Sequence, residues 1–173
     1  MKRVCVLLFL LTLGLLLAAC NKMPQEYIPL PEGETMQMEP ITKAQWEALR
    51  IEDGQWASVY CMRKKWGEWE EYPESVAYRF SLPDAVEYYS RIHNGIEGVD
   101  GGGELTRANY KWRFDAESSS VVITTSEKWE ESYTVLDAGV DSFYLLRNVK
   151  DGDLLSSVSW ILYKFVRVDK IAL

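Results

Sequence analysis

A two-residue period of apolar side chains runs through the chain from residue 55 onward, and it constrains the fold more than any other feature. The clearest example is ELTRANYKWRF, in which one face carries Thr106, Ala108, Tyr110, Trp112 and Phe114. Successive side chains of a β-strand point to opposite faces, so this period predicts a strand with one buried face. No helical period interrupts the pattern after Gly54.

Eight segments of this kind follow one another. They are Gln55–Met62, Val76–Ser81, Ala85–Ile92, Glu104–Phe114, Ser120–Thr125, Trp129–Asp137, Ser142–Asn148 and Ser157–Val168. Their joints are too short for the crossovers that parallel strands need, so the sequence predicts an all-β, antiparallel sheet with consecutive strands paired. Eight such strands close most simply into an up-and-down barrel, which removes both sheet edges. A two-sheet β-sandwich is the alternative.

A short helix is predicted ahead of the first strand, over residues 42–52. Thr42 is a favourable N-cap, and Gln45 three residues later completes a capping box. Trp46 and Leu49 give the helix one apolar face, and Gly54 can take the left-handed conformation that ends it.

The first nineteen residues have the pattern of an export signal. Lys2 and Arg3 precede an apolar run that is shorter than the roughly 20 residues of a membrane span. The following Leu17-Ala18-Ala19-Cys20 resembles the lipobox of bacterial lipoproteins. The resemblance implies cleavage before Cys20 and a diacylglyceryl group on its thiol; an uncleaved signal anchor is the alternative. Because Asn21 replaces the aspartate that retains such proteins in the inner membrane, it also implies the outer membrane, facing the periplasm.

The rest of the chain divides into a tether and one domain. Residues 20–40 carry four prolines without periodicity, which predicts a flexible tether, and residues 41–173 form the domain. Loss of Lys2 and Arg3 with the signal leaves 17 basic residues against 26 acidic ones, a formal charge of −9. This acidity argues against nucleic acid and anionic lipid surfaces as partners.

The tripeptide Gly54-Gln55-Trp56 lies directly after the predicted helix and opens the first strand. Together with the strands that follow, it resembles the recurring motif of the lipocalin and calycin barrels. The resemblance implies that Trp56 closes one end of the barrel and that Arg167 of the last strand packs over its ring, with Lys164 in reserve. The threonine-aspartate motif of the main lipocalin family is absent, which indicates the looser lipocalin-like group.

Aromatic side chains are the candidate ligand-binding groups. Tyr60, Tyr78, Tyr88, Tyr110 and Trp112 are predicted to face the barrel interior, and Trp66, Trp69 and Tyr72 to lie in the loop between the first two strands. We therefore expect a lipid-anchored envelope protein that binds a small apolar or amphipathic ligand. The alternative is a solid barrel that serves as a protein–protein interaction or structural module of an outer-membrane complex.

Catalytic and metal-binding patterns are missing from the sequence. The single histidine, His93, lies in a glycine-rich stretch without partners for a triad or a zinc site, so we expect no enzyme, cofactor or metal centre. Acidic pairs such as Glu130-Glu131 are expected to be solvated. Cys61 is expected to be a buried thiol, with a reactive or intermolecular cysteine as the alternative.

Overall fold

The computed structural model describes residues 28–36, 38–92, 105–126, 129–149 and 157–172. A helix, α1 (Lys43–Leu49), is followed by a 3₁₀ turn at Ile51–Asp53. The strands that the structure describes are β1 (Gln55–Lys65), β2 (Glu68–Glu71), β3 (Glu74–Ser81), β4 (Ala85–Ile92), β5 (Thr106–Asp115), β6 (Ser120–Ser126), β7 (Trp129–Leu136), β8 (Ser142–Asn148) and β9 (Val158–Val168).

The sheet closes on itself. Neighbouring strands are antiparallel in the order β2-β1-β3-β4-β5-β6-β7-β8-β9, and β1 also pairs with β9. Trp56 lies opposite Arg167 across this seam. Within the described ranges, β1 and β3 to β9 form an eight-stranded closed barrel. The predicted all-β antiparallel barrel is therefore confirmed, and the sandwich alternative is wrong.

The capping box predicted for the helix is present. The Gln45 amide bonds to the Thr42 hydroxyl, and the Gln45 side chain accepts from the Thr42 amide at 2.8 Å. The predicted C-terminus was wrong, because α1 ends at Leu49 and Arg50, rather than Gly54, takes the left-handed conformation with φ 46°. Trp46 packs on Phe114 at the end of β5. Thus α1 covers one end of the barrel, and the opposite end, where β3, β5, β7 and β9 begin, is called the mouth below.

The hairpin of β1 and β2 departs from the predicted loop. β1 continues to Lys65, and β2 pairs with it through Lys65 and Glu68. The turn consists of Trp66 and Gly67, both with positive φ, 49° and 91°. Such a two-residue turn matches the twist of the strands that it joins. The mouth therefore carries a hydrogen-bonded hairpin in place of the loop.

A β-bulge in β1 changes which side chains face inward. Ser58 lies opposite Phe165, but Tyr60 lies opposite Lys164, so Val59 is an extra residue. An extra residue reverses the alternation beyond it. Tyr60 consequently lies on the outside of the barrel, and the prediction that it faces the interior was wrong.

The described residues between 28 and 40, called the strap below, lie against the outside of the barrel. Pro40 forms a β-bridge with Leu136 of β7, and the Pro29 carbonyl accepts a hydrogen bond of 3.1 Å from the hydroxyl of Tyr60 on β1. Ile28 is buried in an outer apolar cluster. Packing in the described residues therefore includes Ile28, ahead of the domain boundary predicted at residue 41.

Glu34 fixes the middle of the strap. Its carboxylate pairs with the Lys164 ammonium of β9 and accepts a bond of 2.6 Å from the Tyr144 hydroxyl of β8. The barrel residues that the strap contacts lie directly opposite one another on neighbouring strands. They are Leu136, Tyr144, Lys164 and Tyr60. The strap therefore crosses four strands along one hydrogen-bonding row and passes over the seam between β9 and β1.

Candidate functional site

The half of the barrel next to α1 is filled by aromatic rings. Trp46 stacks on Phe114 with centroids 4.7 Å apart, and Phe80 meets Trp112 edge-on at 5.1 Å. The layer is completed by three rings without solvent exposure, those of Trp56, Phe143 and Phe165. This half is a packed core made from the protein's own side chains.

Trp56 and Arg167 close this end together. The Arg167 guanidinium lies 4.8 Å from the Trp56 ring centroid and donates to the Leu49 carbonyl at 2.8 Å. The Trp56 indole donates to the Ile51 carbonyl at 2.9 Å. A Cβ atom on Gly54 would lie 3.1 Å from Cγ of Arg167, so a side chain at this position would require the arginine side chain to shift. The arrangement is the one that the lipocalin-like resemblance implied for these residues.

The candidate ligand-binding aromatics are distributed over three environments. Tyr78, Tyr88, Tyr110 and Trp112 lie on inward-facing rows of β3, β4 and β5, and Tyr72 is buried in the same interior cluster. Trp69 joins Tyr60 in the outer apolar cluster beside the strap, and Trp66 is exposed at the hairpin tip. The structure therefore brings only five of these eight residues into the interior.

A network of charged and phenolic groups occupies the interior between the aromatic core and the mouth. The Tyr163 hydroxyl donates to Glu74 at 2.8 Å, and the Tyr133 hydroxyl donates to Glu131 at 2.6 Å. The Arg147 guanidinium is 3.0 Å from the other Glu131 oxygen. These five residues are called the polar cluster below. They project from β3, β7, β8 and β9, so side chains distant in sequence meet across the barrel.

Burial shifts the acidities of the polar cluster. Removal from water raises the pKa of Glu74, although the hydrogen bond from Tyr163 and the charge of Arg147 oppose this shift. Burial also raises the pKa values of Tyr133 and Tyr163 well above their ordinary range. The phenols are therefore neutral donors, and Glu74 holds a proton more readily than an exposed carboxyl.

A chain of tyrosine rings connects this interior to solvent. The Tyr78 ring is 5.6 Å from the Tyr88 ring, which is 5.7 Å from the Tyr110 ring. Tyr78 is buried, whereas Tyr88, Tyr110 and the neighbouring inward residue Ala108 are partly exposed. Solvent thus reaches inward-facing side chains on the β4–β5 side of the barrel.

The glutamates of the cluster are the functional candidates that sequence reasoning missed. Glu131 was expected to be solvated, but it lies on the inward row of β7 with Tyr133 and Val135, and 22% of its side chain is exposed. The two-residue period of WEESYTVL does predict this inward position, since Glu131 is two residues from Tyr133 and so lies on the same face of the strand. The usual outward position of charged side chains obscured it.

Two clefts of about 310 and 350 Å³ lie near Gln55 and Arg79, at the α1 end of the barrel. The larger one is lined by residues 170–172 together with Gln55, Arg79, Tyr89 and Leu105, so it extends from the first strand along the outside of β3 and β4. No member of the polar cluster lines either cleft. They are therefore separate from the interior network.

Cys61 is buried on the inward face of β1, opposite Tyr163. Burial raises the pKa of its thiol far above the ordinary value, and the charge of Glu74 adds to this effect. Since the thiolate is the reactive form, we expect this buried cysteine to react slowly with oxidants and alkylating reagents.

Among the described residues, no group of three or more His, Cys, Asp or Glu side chains is arranged to hold a metal ion. His93 and the predicted lipidation residue Cys20 lie outside the described residues. Nor does the described part of the chain contain a helix with the length and apolarity needed to cross a bilayer.

No known protein family matches the chain in a profile comparison, and a search of curated proteins finds no relative.

Proposed function

We propose that this protein is a lipid-anchored barrel of the bacterial envelope that binds a small amphipathic molecule in the mouth half of its interior. The observation that supports this most directly is the polar cluster. An interior that serves folding alone is best filled with apolar side chains, and replacing a buried ion pair by packed apolar residues is often neutral or stabilising. Charged groups kept inside a barrel are therefore better explained by binding.

The arrangement of the interior favours a ligand with two chemically different parts. The partly exposed Tyr88 and Tyr110 rings offer an apolar surface to the hydrocarbon or aromatic part of a ligand. Nearer the mouth, Glu74, Glu131 and Arg147 offer hydrogen bonds and charges of both signs to its polar group. The packed aromatic core sets the depth to which the ligand enters.

Anchoring in the envelope is the second part of the proposal. It is supported by the basic head, the short apolar run and Leu17-Ala18-Ala19-Cys20 at the N-terminus. Two or three acyl chains on Cys20 would hold the protein stably at the membrane. Asn21 after the cysteine favours the outer membrane and its periplasmic face. If a Cys20→Ser variant still fractionated with membranes, this part of the proposal would fail.

A pair of neighbouring substitutions tests ligand binding. Ala108 faces inward opposite Tyr88, so Ala108→Phe would place a large ring beside the tyrosine rings, where the ligand is proposed to bind. Asn109→Phe adds the same ring one residue further along β5, on the exposed outer face. Native mass spectrometry of protein purified from its own envelope should show a bound mass in the wild type and in Asn109→Phe, and its loss in Ala108→Phe.

The opposite result would favour the solid-barrel alternative. If all three proteins carry no bound mass and bind the fluorescent amphiphile 1-anilinonaphthalene-8-sulfonate equally, the interior is not a binding site. The observation that favours this alternative is the packed aromatic core beside α1, which already fills half of the interior. The protein would then act through its outer surface.

A further inference from the structure

Trp66 is the most exposed of the large apolar side chains in the described residues, at 79%. It occupies the turn between β1 and β2, at the mouth end of the barrel. Ile92 and Trp129, at the mouth ends of β4 and β7, are also about half exposed, at 48% and 46%. A tryptophan presented at the tip of a hairpin leaves a large apolar area in water unless another surface covers it.

The backbone conformation at Trp66 is one that tryptophan does not favour, so the turn itself does not account for a tryptophan at this position. Its φ is 49°, and the following Gly67 has φ 91°, so both central residues of the turn are in the left-handed half of conformational space. Asparagine, aspartate and glycine are the residues that favour the first of these positions. A bulky side chain with positive φ is strained, and such strain is concentrated at functional sites.

The turn is nevertheless held firmly. The Trp66 amide donates to the Ser157 carbonyl at 3.2 Å, which joins the tip to the residue preceding β9. Lys65 pairs with Val158 on one side and with Glu68 on the other. The indole is therefore presented by a rigid, hydrogen-bonded element, and little conformational entropy is lost when it binds a surface.

The surroundings of Trp66 match the chemistry of a lipid headgroup region. The Lys65 ammonium lies 4.3 Å from the centroid of the Trp66 ring. Tryptophan and lysine are the side chains that combine an apolar body with a polar end at the membrane interface. Exposed Glu68 and Glu71 on β2 would be repelled by an anionic surface, so the charge pattern favours zwitterionic lipid.

The position of the strap brings the N-terminus within reach of the same surface. The strap ends beside Tyr60, and Trp66 is six residues further along β1, about 20 Å away at the rise of a strand. The eight residue-to-residue steps from Cys20 to Ile28 can span at most about 29 Å. An acyl anchor on Cys20 and the Trp66 indole can therefore enter one bilayer together.

From these observations we infer that the β1–β2 turn is a membrane-contact surface, in which Trp66 inserts among the headgroups of a zwitterionic bilayer. This inference rests on the lipid anchoring included in the proposed function. Two attachments, one at Cys20 and one at Trp66, fix the orientation of the barrel. The mouth then faces the bilayer, and an amphipathic ligand can pass between the lipid and the polar cluster.

The test attaches the chain to lipid by chemistry, so that it does not depend on lipidation in the cell. The chain from Cys20 to Leu173 is coupled through Cys20 to a maleimide-bearing lipid in phosphatidylcholine vesicles; buried Cys61 does not compete. Vesicles with brominated acyl chains should quench part of the tryptophan emission of the wild type. Trp66→Asn should lose that part. Val140→Asn, which changes a side chain 77% exposed at the opposite end, should keep it.

The melting temperature provides the second readout. Asn-Gly is a preferred pair for this turn, so Trp66→Asn should melt at the same or a higher temperature than the wild type. A lower melting temperature would show that Trp66 packs on the barrel and would overturn the inference. Equal quenching of the wild type and Trp66→Asn, or no quenching of either, would also overturn it. If Ala108→Phe loses the bound ligand and the wild type is quenched by the brominated lipid, both the binding proposal and the membrane-contact inference are supported. If the wild type is quenched but carries no ligand, only the binding proposal is contradicted.

Discussion

Trp56 shows how one residue can join three elements of the barrel. Its indole bonds to the carbonyl of Ile51, its ring lies under the guanidinium of Arg167, and its backbone opens β1. Arg167 in turn donates to the Leu49 carbonyl at the end of α1. The helix, the first strand and the last strand therefore share a single contact.

Truncation at this contact should be severe and non-additive. Trp56→Ala should lower the free energy of unfolding by about 3–5 kcal/mol, the range for a buried aromatic ring. Arg167→Ala should cost less, through lost packing and hydrogen bonds. Because the two side chains touch, urea denaturation of the double variant should give less than the sum of the single losses. Strict additivity would show that the cation–π contact contributes nothing.

Glu74 should limit stability at neutral pH. Its pKa is raised in the folded protein, so folding favours the protonated form, and the stability gained at low pH is lost as the pH rises through the folded pKa. Glu74→Gln removes the charge and keeps an oxygen that can accept from Tyr163. The variant should have a higher melting temperature than the wild type at pH 8, with a smaller difference at pH 4. An equal difference at both pH values would contradict the assigned shift.

The strap is the element whose attachment depends most on one ion pair. The hydrogen bonds from Lys164 and Tyr144, with a lesser contribution from the Lys164 charge, lower the pKa of Glu34 from its ordinary value of 4.5, although burial opposes this shift. The stabilisation is therefore complete above that value and is lost as the pH falls through the lowered pKa. Tyr144, with its own pKa raised by burial, keeps its proton throughout.

Glu34→Gln should therefore lower the melting temperature slightly at pH 7 and have a smaller effect at pH 3. The effect should be small, because the pair lies at the surface and is screened by water and salt. Glu32, which is also in the strap, supplies a matched control, and Glu32→Gln should have little effect at either pH. A melting temperature of Glu34→Gln equal to that of the wild type at pH 7 would mean that the other contacts of the strap hold it without this ion pair.

Most strands could be predicted from the sequence because burial of one face imposes a period of two. The inward row of β9, with Ile161, Tyr163 and Phe165, follows directly from that period. β2 was missed because EWEE carries charges on most positions and is separated from β3 by Pro73. Its pairing with β1 depends on the Trp66-Gly67 turn, which the sequence does not indicate because tryptophan is unusual at the first position of such a turn.

The interior site was less predictable than the strands, for a physical reason. The bulge at Val59 cannot be predicted from the sequence. Because of it, Tyr60 faces outward and contacts the strap instead of facing the interior. The bond between Tyr163 and Glu74 joins residues 89 positions apart, and only closure of the sheet makes them neighbours. Local patterns carry no information about such pairs, whereas the Trp56 and Arg167 pair could be expected from the family resemblance.

At the scale of the whole molecule, closure of the barrel depends on β9, the most C-terminal strand. β9 pairs along almost the full length of β1 and also with β8. Without it, both neighbours would present unpaired edges, and such edges promote aggregation. The fold therefore cannot be completed by any N-terminal part of the chain.

A chain that stops at Ser157 should therefore fail to fold cooperatively. Size-exclusion chromatography should show aggregates, and urea denaturation should show no sharp transition. A chain that stops at Asp169 keeps all of β9 and serves as the control, which should remain monodisperse with a single transition. A soluble, cooperatively folded product from the shorter chain would contradict the importance of the seam.

The path of the strap also determines how the molecule responds to mechanical load. If Cys20 holds the protein to the membrane, a pull on the domain loads the described contacts of Pro29, Glu34 and Pro40 one after another. Contacts that peel singly yield at low force, and the strap can then extend to about 40 Å. The seam between β1 and β9 bears tension only after that slack is used, so the strap protects the barrel from the forces that its own anchor transmits.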